Sequence, residues 1–177
     1  MATKTVEVNR APVLTLWAAV VAERMGYDRN EALTLGKAVA GLNAQAKGRS
    51  LGIFGPPKAV EGRPAKKRGL GEEFWVRVCG RPVPAKQTDD GVRAVVMDKP
   101  IEPRKVEDYL VKSFGESLAT VRAAMESLVG AYSPTEIEEA AYGLYERFRP
   151  AIEAGKRGWG QKGTLDLEQI RSLAKMT

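Results

Sequence analysis

Residues 12–46 read PVLTLWAAVVAERMGYDRNEALTLGKAVAGLNAQA, and this stretch decides the fold class. In its first half Val13, Leu14, Leu16, Trp17, Val20, Val21 and Met25 wrap most of a helix circumference, with Pro12 where a first-turn proline is tolerated. A helix apolar nearly all round is either a central core helix or one half of a dimer interface. Gly26 ends it. Asp28, with Glu31 three residues on, forms a capping box that restarts the chain. At about 100° per residue, Ala32, Leu35, Val39, Leu42 and Ala46 then line one side of a second helix, from about Arg29 to Ala46. The link is short enough to make the two helices neighbours, as a helix-turn-helix or an αα-hairpin. Trp17 is read as core.

The other face of the second helix is small and nearly flat: Thr34, Ala38, Gly41, Gln45 and Gly48, with Lys37 beside them. A partner surface is expected to approach its backbone closely. The helix then runs into Lys47, Arg49, Lys58, Arg63, Lys66, Lys67 and Arg68. Residues 47–71 hold these seven cations against one acid, Glu61, which gives them a net charge of +6, the same as the whole 177-residue chain. The basicity is therefore local. Pro56, Pro57 and Pro64 exclude a continuous helix here, so about 55–70 is predicted as a mobile basic loop. Leu51, Ile53 and Phe54 form an apolar island expected to dock on the core.

Further along, Phe74, Val76 and Val78 alternate with Trp75, Arg77 and Cys79, as a strand does. Asp90–Gly91 is a favoured hairpin turn before the run Val92 to Met97. Pro82 and Pro84 argue for an edge or irregular first arm. A two- or three-stranded antiparallel ribbon lying on helices is expected, because an isolated hairpin is marginal.

Helices follow at about 105–114, 117–129 and 134–149. Ser133–Pro134–Thr135–Glu136 combines a capping box with proline at the first helical position, the strongest local signal in the chain. Residues 155–163 read as a glycine-rich loop. Asp166 and Gln169 mark a last cap, with Leu165 and Ile170 as a hydrophobic staple. The expected architecture is mainly α, with a helix-turn-helix-like N-terminal pair, a central β-hairpin and a C-terminal helical bundle. Residues 1–8 are assigned to a flexible N-terminus, with a short edge strand at Thr5–Val8 as the alternative, and 9–177 to one globular domain.

The chain has no histidine, which removes imidazole general-base work, Ser-His-Asp and Cys-His catalysis and histidine metal sites. The carboxylates have structural assignments: Asp89 and Asp90 in a turn, Glu136, Glu138 and Glu139 at a helix start. No metal site, cofactor or catalytic motif is expected. The single cysteine, Cys79, excludes an internal disulfide and fits a reducing compartment. It is placed in a strand as a small, semi-buried apolar residue. The N-terminus does not read as a signal peptide, and the apolar stretch 13–22 is too short to span a membrane, so a cytoplasmic protein is expected.

A sequence pI near 9.5 with clustered charge points to a polyanion. Lys37, Gln45, Lys47 and Arg49 on and after the second helix, with Thr34 and Asn43, offer phosphate donors and base-edge readers. Lys58, Arg63, Lys66, Lys67 and Arg68 offer an arm for a nucleic-acid backbone. Lys156, Arg157 and Lys162, around Trp159 and several glycines, offer exposed amides, charge and a stacking ring. The reading that follows is nucleic-acid binding, DNA ahead of RNA, because closely spaced aromatics on a sheet are missing. It places the protein at the nucleoid. Two other readings stand beside it: a homodimeric assembly module built on the apolar first helix, and an enzyme acting on a phosphorylated or nucleotide substrate.

Overall fold

The structure, a computed structural model, describes residues 5–48, 60–61, 73–96, 99–150 and 162–175. The chain is mainly α-helical with a small, largely antiparallel sheet. Strand β1 (Thr5–Asn9) leads into α1 (Arg10–Met25), and α2 (Arg29–Gly48) follows. A sheet is then built from β2 (Val60–Glu61), β3 (Glu73–Val78), β4 (Arg81–Thr88), β5 (Gly91–Val96) and β6 (Lys99–Pro100). The helices α3 (Pro103–Phe114), α4 (Leu118–Gly130) and α5 (Pro134–Phe148) precede β7 (Lys162–Asp166) and α6 (Leu167–Lys175).

Helix α1 is the axis of the molecule. Every residue from Pro12 to Ala22 is buried, so the near-complete apolar wrap is used up by the chain's own core. Of the two expectations for this helix, the core holds, and the surface that a dimer through α1 requires is enclosed by α2, α4 and α5. Trp17 is fully buried; its indole N–H donates to the Ala141 carbonyl at 2.9 Å, and its ring meets Phe148 edge-on at 5.1 Å. A buried indole N–H left without a partner would forfeit much of what the ring gains by burial. Gly26, at φ 117°, closes α1: its N–H reaches Glu23 O at 3.0 Å and Tyr27 N–H reaches Ala22 O at 3.1 Å. This is a Schellman ending, which needs a left-handed residue at that position.

The capping box of α2 forms in both directions, Asp28 N–H to Glu31 at 3.0 Å and Glu31 N–H to Asp28 at 2.8 Å. The apolar face places Ala32, Leu35 and Val39 wholly inside. Gly36 lies where α2 comes closest to α1. A Cβ there would sit 2.9 Å from the Ala19 nitrogen and closer still to the Thr15 carbonyl oxygen.

The small face of α2 is closed in its first half, while Gly41 further along is exposed with open space beside it. Thr34 and Ala38 are buried, and β4 and β5 pack against the helix. The apolar stripe alone could not reveal this, since a face of small residues serves a neighbouring strand as well as an external surface. Thr34 is thus removed from the phosphate donors expected on this helix.

The five-stranded sheet has the order β2-β3-β4-β5-β6. β3–β4 and β4–β5 are antiparallel, with Val76 opposite Val83 and Ala85 opposite Ala94, whereas β2 runs parallel to β3. The strand carrying Pro82 and Pro84 lies between β3 and β5, but the two prolines themselves pair with β3 alone and so stand at a local edge, as expected. Both prolines share one parity of β4, so their missing N–H groups can both face away from β3. On that side the ladder to β5 begins only at Ala85. The prolines therefore remove no ladder bond. Cys79 lies in the turn after β3 rather than in a strand: Cys79 at φ 51° and Gly80 at φ 74° both take the positive φ of a two-residue hairpin turn.

At the N-terminus the short-strand alternative holds from Thr5: β1 pairs antiparallel with β7, Val6 opposite Leu165, and Val6 and Val8 are buried. The residues around Leu165 form β7 rather than a bare entry to the last helix, although Asp166 does cap it, accepting from Glu168 N–H at 2.9 Å. Ser133 and Glu136 form the expected reciprocal cap of α5 at 2.9 and 3.1 Å. β2 interrupts the segment read as one mobile loop, at Val60–Glu61. The island Leu51–Ile53–Phe54 lies outside the described residues.

Candidate nucleic-acid interface

Helix α2 is held on three sides, which fixes where its cations sit. Gly36 seats it on α1. Arg29 pairs with Glu107 of α3 at 3.1 Å. The third side is β5. Residues 92 and 94 share a parity that turns their N–H groups away from β4, and two α2 side chains receive them. Glu31 accepts from Val92 N–H at 2.8 Å, and the Thr34 hydroxyl accepts from Ala94 N–H at 3.0 Å. Residues three apart on a helix share a face, so they can meet strand residues two apart. Beside them Arg93 is buried, its guanidinium donating to the Val92 carbonyl at 2.9 Å.

Besides the exposed Arg29, Lys37 is a basic side chain of α2 that leaves this packed region. It is half-buried, and its ammonium stands 3.9 Å from the centroid of the Tyr109 ring of α3. Burial lowers the Lys37 pKa and raises that of the Tyr109 phenol. The ring face returns part of the cation's lost hydration.

An open cleft of about 530 Å³ begins at Lys37. Lys99 of β6 and Lys105 of α3 complete a basic rim, and Glu102 pairs with Lys105 at 3.1 Å. Val96, Pro100, Ile101 and Val106 supply an aliphatic wall. Lys99, Lys105 and Tyr109 are not prominent in the sequence. The link from β5 through β6 into Pro103 at the head of α3 is what brings them to Lys37, and only the Pro100–Pro103 pair hints at so sharp a join.

The other expected contact residues are distributed as follows. Gln45 and Lys47 lie in the last turns of α2, where the backbone alone is described, and Lys162 opens β7 opposite Asn9. Arg49, Lys58, Arg63, Lys66, Lys67, Arg68, Lys156, Arg157 and Trp159 lie outside the described residues.

Cys79 is 1% exposed, and burial together with the nearby Glu138 pushes its thiol pKa far up, so it is a poor nucleophile here. Among the described residues no group of three or more histidine, cysteine, aspartate or glutamate side chains converges, and no helix is long and apolar enough to cross a membrane. Three lysines, Lys37, Lys99 and Lys105, are among the residues that line the cleft. Comparison with known proteins returned no match to a family model, a curated protein or a solved structure.

Proposed function

We propose that this protein binds nucleic acid, duplex DNA ahead of RNA, and captures it electrostatically. One observation carries the reading: residues 47–71 hold seven cations against one acid, a net charge equal to that of the entire chain. A field concentrated on one segment raises the local concentration of a polyanion and releases its counterions on contact. The placement of α2 supports the same reading. A helix clamped by α1, α3 and β5 gives the basic segment a rigid origin, and Lys37 lies ten residues before Lys47, about 15 Å along the axis.

In this reading α1 and α2 form the helix-turn-helix-like pair, β3–β5 act as a wing, and α4–α6 form the supporting bundle. Because Ala32–Ala40 of α2 is packed against its neighbours apart from Lys37, the helix contributes Lys37 and its end, Gln45 and Lys47, rather than a groove-reading face. The contacts fall on phosphates, so affinity is high relative to sequence discrimination. The protein then works at the nucleoid, in the cytoplasm. The test is fluorescence anisotropy of labelled duplex DNA, duplex RNA and heparin with the wild-type chain and a Lys66→Gln, Lys67→Gln, Arg68→Gln variant. Duplex affinity falls by at least about tenfold in the variant at moderate salt. Unchanged affinity overturns the reading.

A further inference from the structure

We propose that the cleft between α2, β6 and the first turn of α3 is a binding site for a small organic phosphate. The phosphate lies among the amines of Lys37, Lys99 and Lys105, and the body of the ligand lies on the wall made by Val96, Pro100 and Ile101.

Four features of the cleft converge on that ligand. First, its volume of about 530 Å³ lies within the range of small-molecule sites. A duplex is too wide to enter it, so the proposed ligand is distinct from the DNA above. Second, three lysines from three separate elements line the cleft, against one carboxylate among the described lining residues, Glu102. Third, the wall is apolar and open: Val96 is 53% exposed, one of two large hydrophobic side chains left so exposed among the described residues. An inorganic anion would gain nothing from that wall, whereas a ligand with a flat or aliphatic body would cover it. Fourth, the Glu102 side chain makes no cap hydrogen bond to α3 and turns to Lys105 instead. The first turn of α3 is therefore left without a side-chain cap. Of the three cations Lys37 needs least reorganisation, because packing over Tyr109 already limits its rotamers.

The experiment uses the full chain, isotope-labelled for amide NMR and titrated with adenosine monophosphate as the probe, with adenosine and inorganic phosphate as separate arms. Saturable shifts are expected at Lys37, Val96, Lys99, Ile101 and Lys105, with both control compounds at least about tenfold weaker. Lys99→Gln with Lys105→Gln changes two exposed side chains, leaves the circular dichroism spectrum and melting temperature unchanged, and weakens the probe by about tenfold. The Lys66→Gln, Lys67→Gln, Arg68→Gln variant binds the probe as the wild type does, so loss of duplex binding and loss of cleft binding are read separately. Three results each overturn the proposal: shifts that map away from the cleft or never saturate, undiminished binding by the Lys99/Lys105 variant, and adenosine binding as tightly as its monophosphate.

Discussion

The hydroxyl of Thr34 accepts the backbone N–H of Ala94 at 3.0 Å while donating to the Glu31 carbonyl at 2.9 Å. Glu31 itself divides its carboxylate, one oxygen closing the capping box at Asp28 and the other receiving Val92 N–H. Two helix side chains thus replace a neighbouring strand along this part of β5. Beyond them β6 takes over the same edge, with Val95 opposite Pro100. The helix that carries Lys37 and the hairpin that leads to Lys99 are therefore locked in one register.

Replacing Thr34 with valine keeps the shape and removes the acceptor, leaving the buried Ala94 N–H without a partner. Thr34→Val is expected to destabilise the fold by about 1–3 kcal/mol, the cost of an unsatisfied buried donor. Urea unfolding measures the loss. Amide exchange at Ala94 should quicken more than exchange at Val83, in the neighbouring strand; equal change at both would dissociate the effect from this bond.

Gly36→Ala is a second test of the same scaffold. Alanine is the better helix former by about 1 kcal/mol, so on propensity alone the change stabilises. The added methyl, however, meets Ala19 N at 2.9 Å and the Thr15 carbonyl more closely, and neither backbone atom can rotate aside. Overpacking of this kind costs about 1–3 kcal/mol, so a lower melting temperature is expected. A higher one would mean that α1 and α2 lie further apart.

Cys79 is buried at a positive-φ turn position, and its thiol is held in the neutral form by burial and by Glu138. A thiol-specific reagent at mildly alkaline pH should leave the native chain unlabelled and label the urea-unfolded chain fully. Rapid native labelling would place the turn at the surface.

Glu138 gives a pH signature. One of its oxygens lies buried without a hydrogen-bond partner among the described residues, 3.8 Å from Arg77 Nε. Burial raises its pKa above the ordinary 4.5; Arg77 opposes the shift and Glu139 adds to it. For an acid with a raised folded pKa, the stabilising contribution is present below the unfolded pKa and is lost as pH rises through the folded one. Glu138→Gln should therefore stabilise the protein near neutral pH, and its advantage should shrink as the pH falls towards 4.5 and below. Urea midpoints at neutral and acid pH decide it, and a pH-independent difference would count against the burial argument.

Local sequence signals located most of the helices because their caps are built from neighbours: Asp28 with Glu31, Ser133 with Glu136, Gly26 after Met25. What local signals could not supply was pairing at long range. β7 is short, follows a glycine-rich run, and owes its existence to β1 at the other end of the chain. Pro82 and Pro84 signal an edge and stand at a local one, but nothing in them shows that the strand goes on to pair with β5 from Ala85. On the small face of α2 two strands cover Thr34 and Ala38 while Gly41 stays exposed, a division that a run of small residues does not show. At the candidate site, Lys37 stood out from its position on the helix, while Lys99 and Lys105 acquire meaning only when β6 and α3 fold back beside it.

The salt dependence of duplex binding separates contact from field. Each phosphate neutralised by a bound cation contributes about −0.9 to the slope of log affinity against log salt. If Lys66, Lys67 and Arg68 each contact a phosphate, converting all three to glutamine should flatten that slope by about 2.7 units. Lys99→Gln with Lys105→Gln should leave the slope nearly as it was, because those amines face a cleft too small for a duplex. A lower affinity with an unchanged slope in the triple variant would mean that the three residues act at a distance. The contacts would then have to be sought at Lys37, Lys47 and Arg49, one substitution at a time, by the same slope.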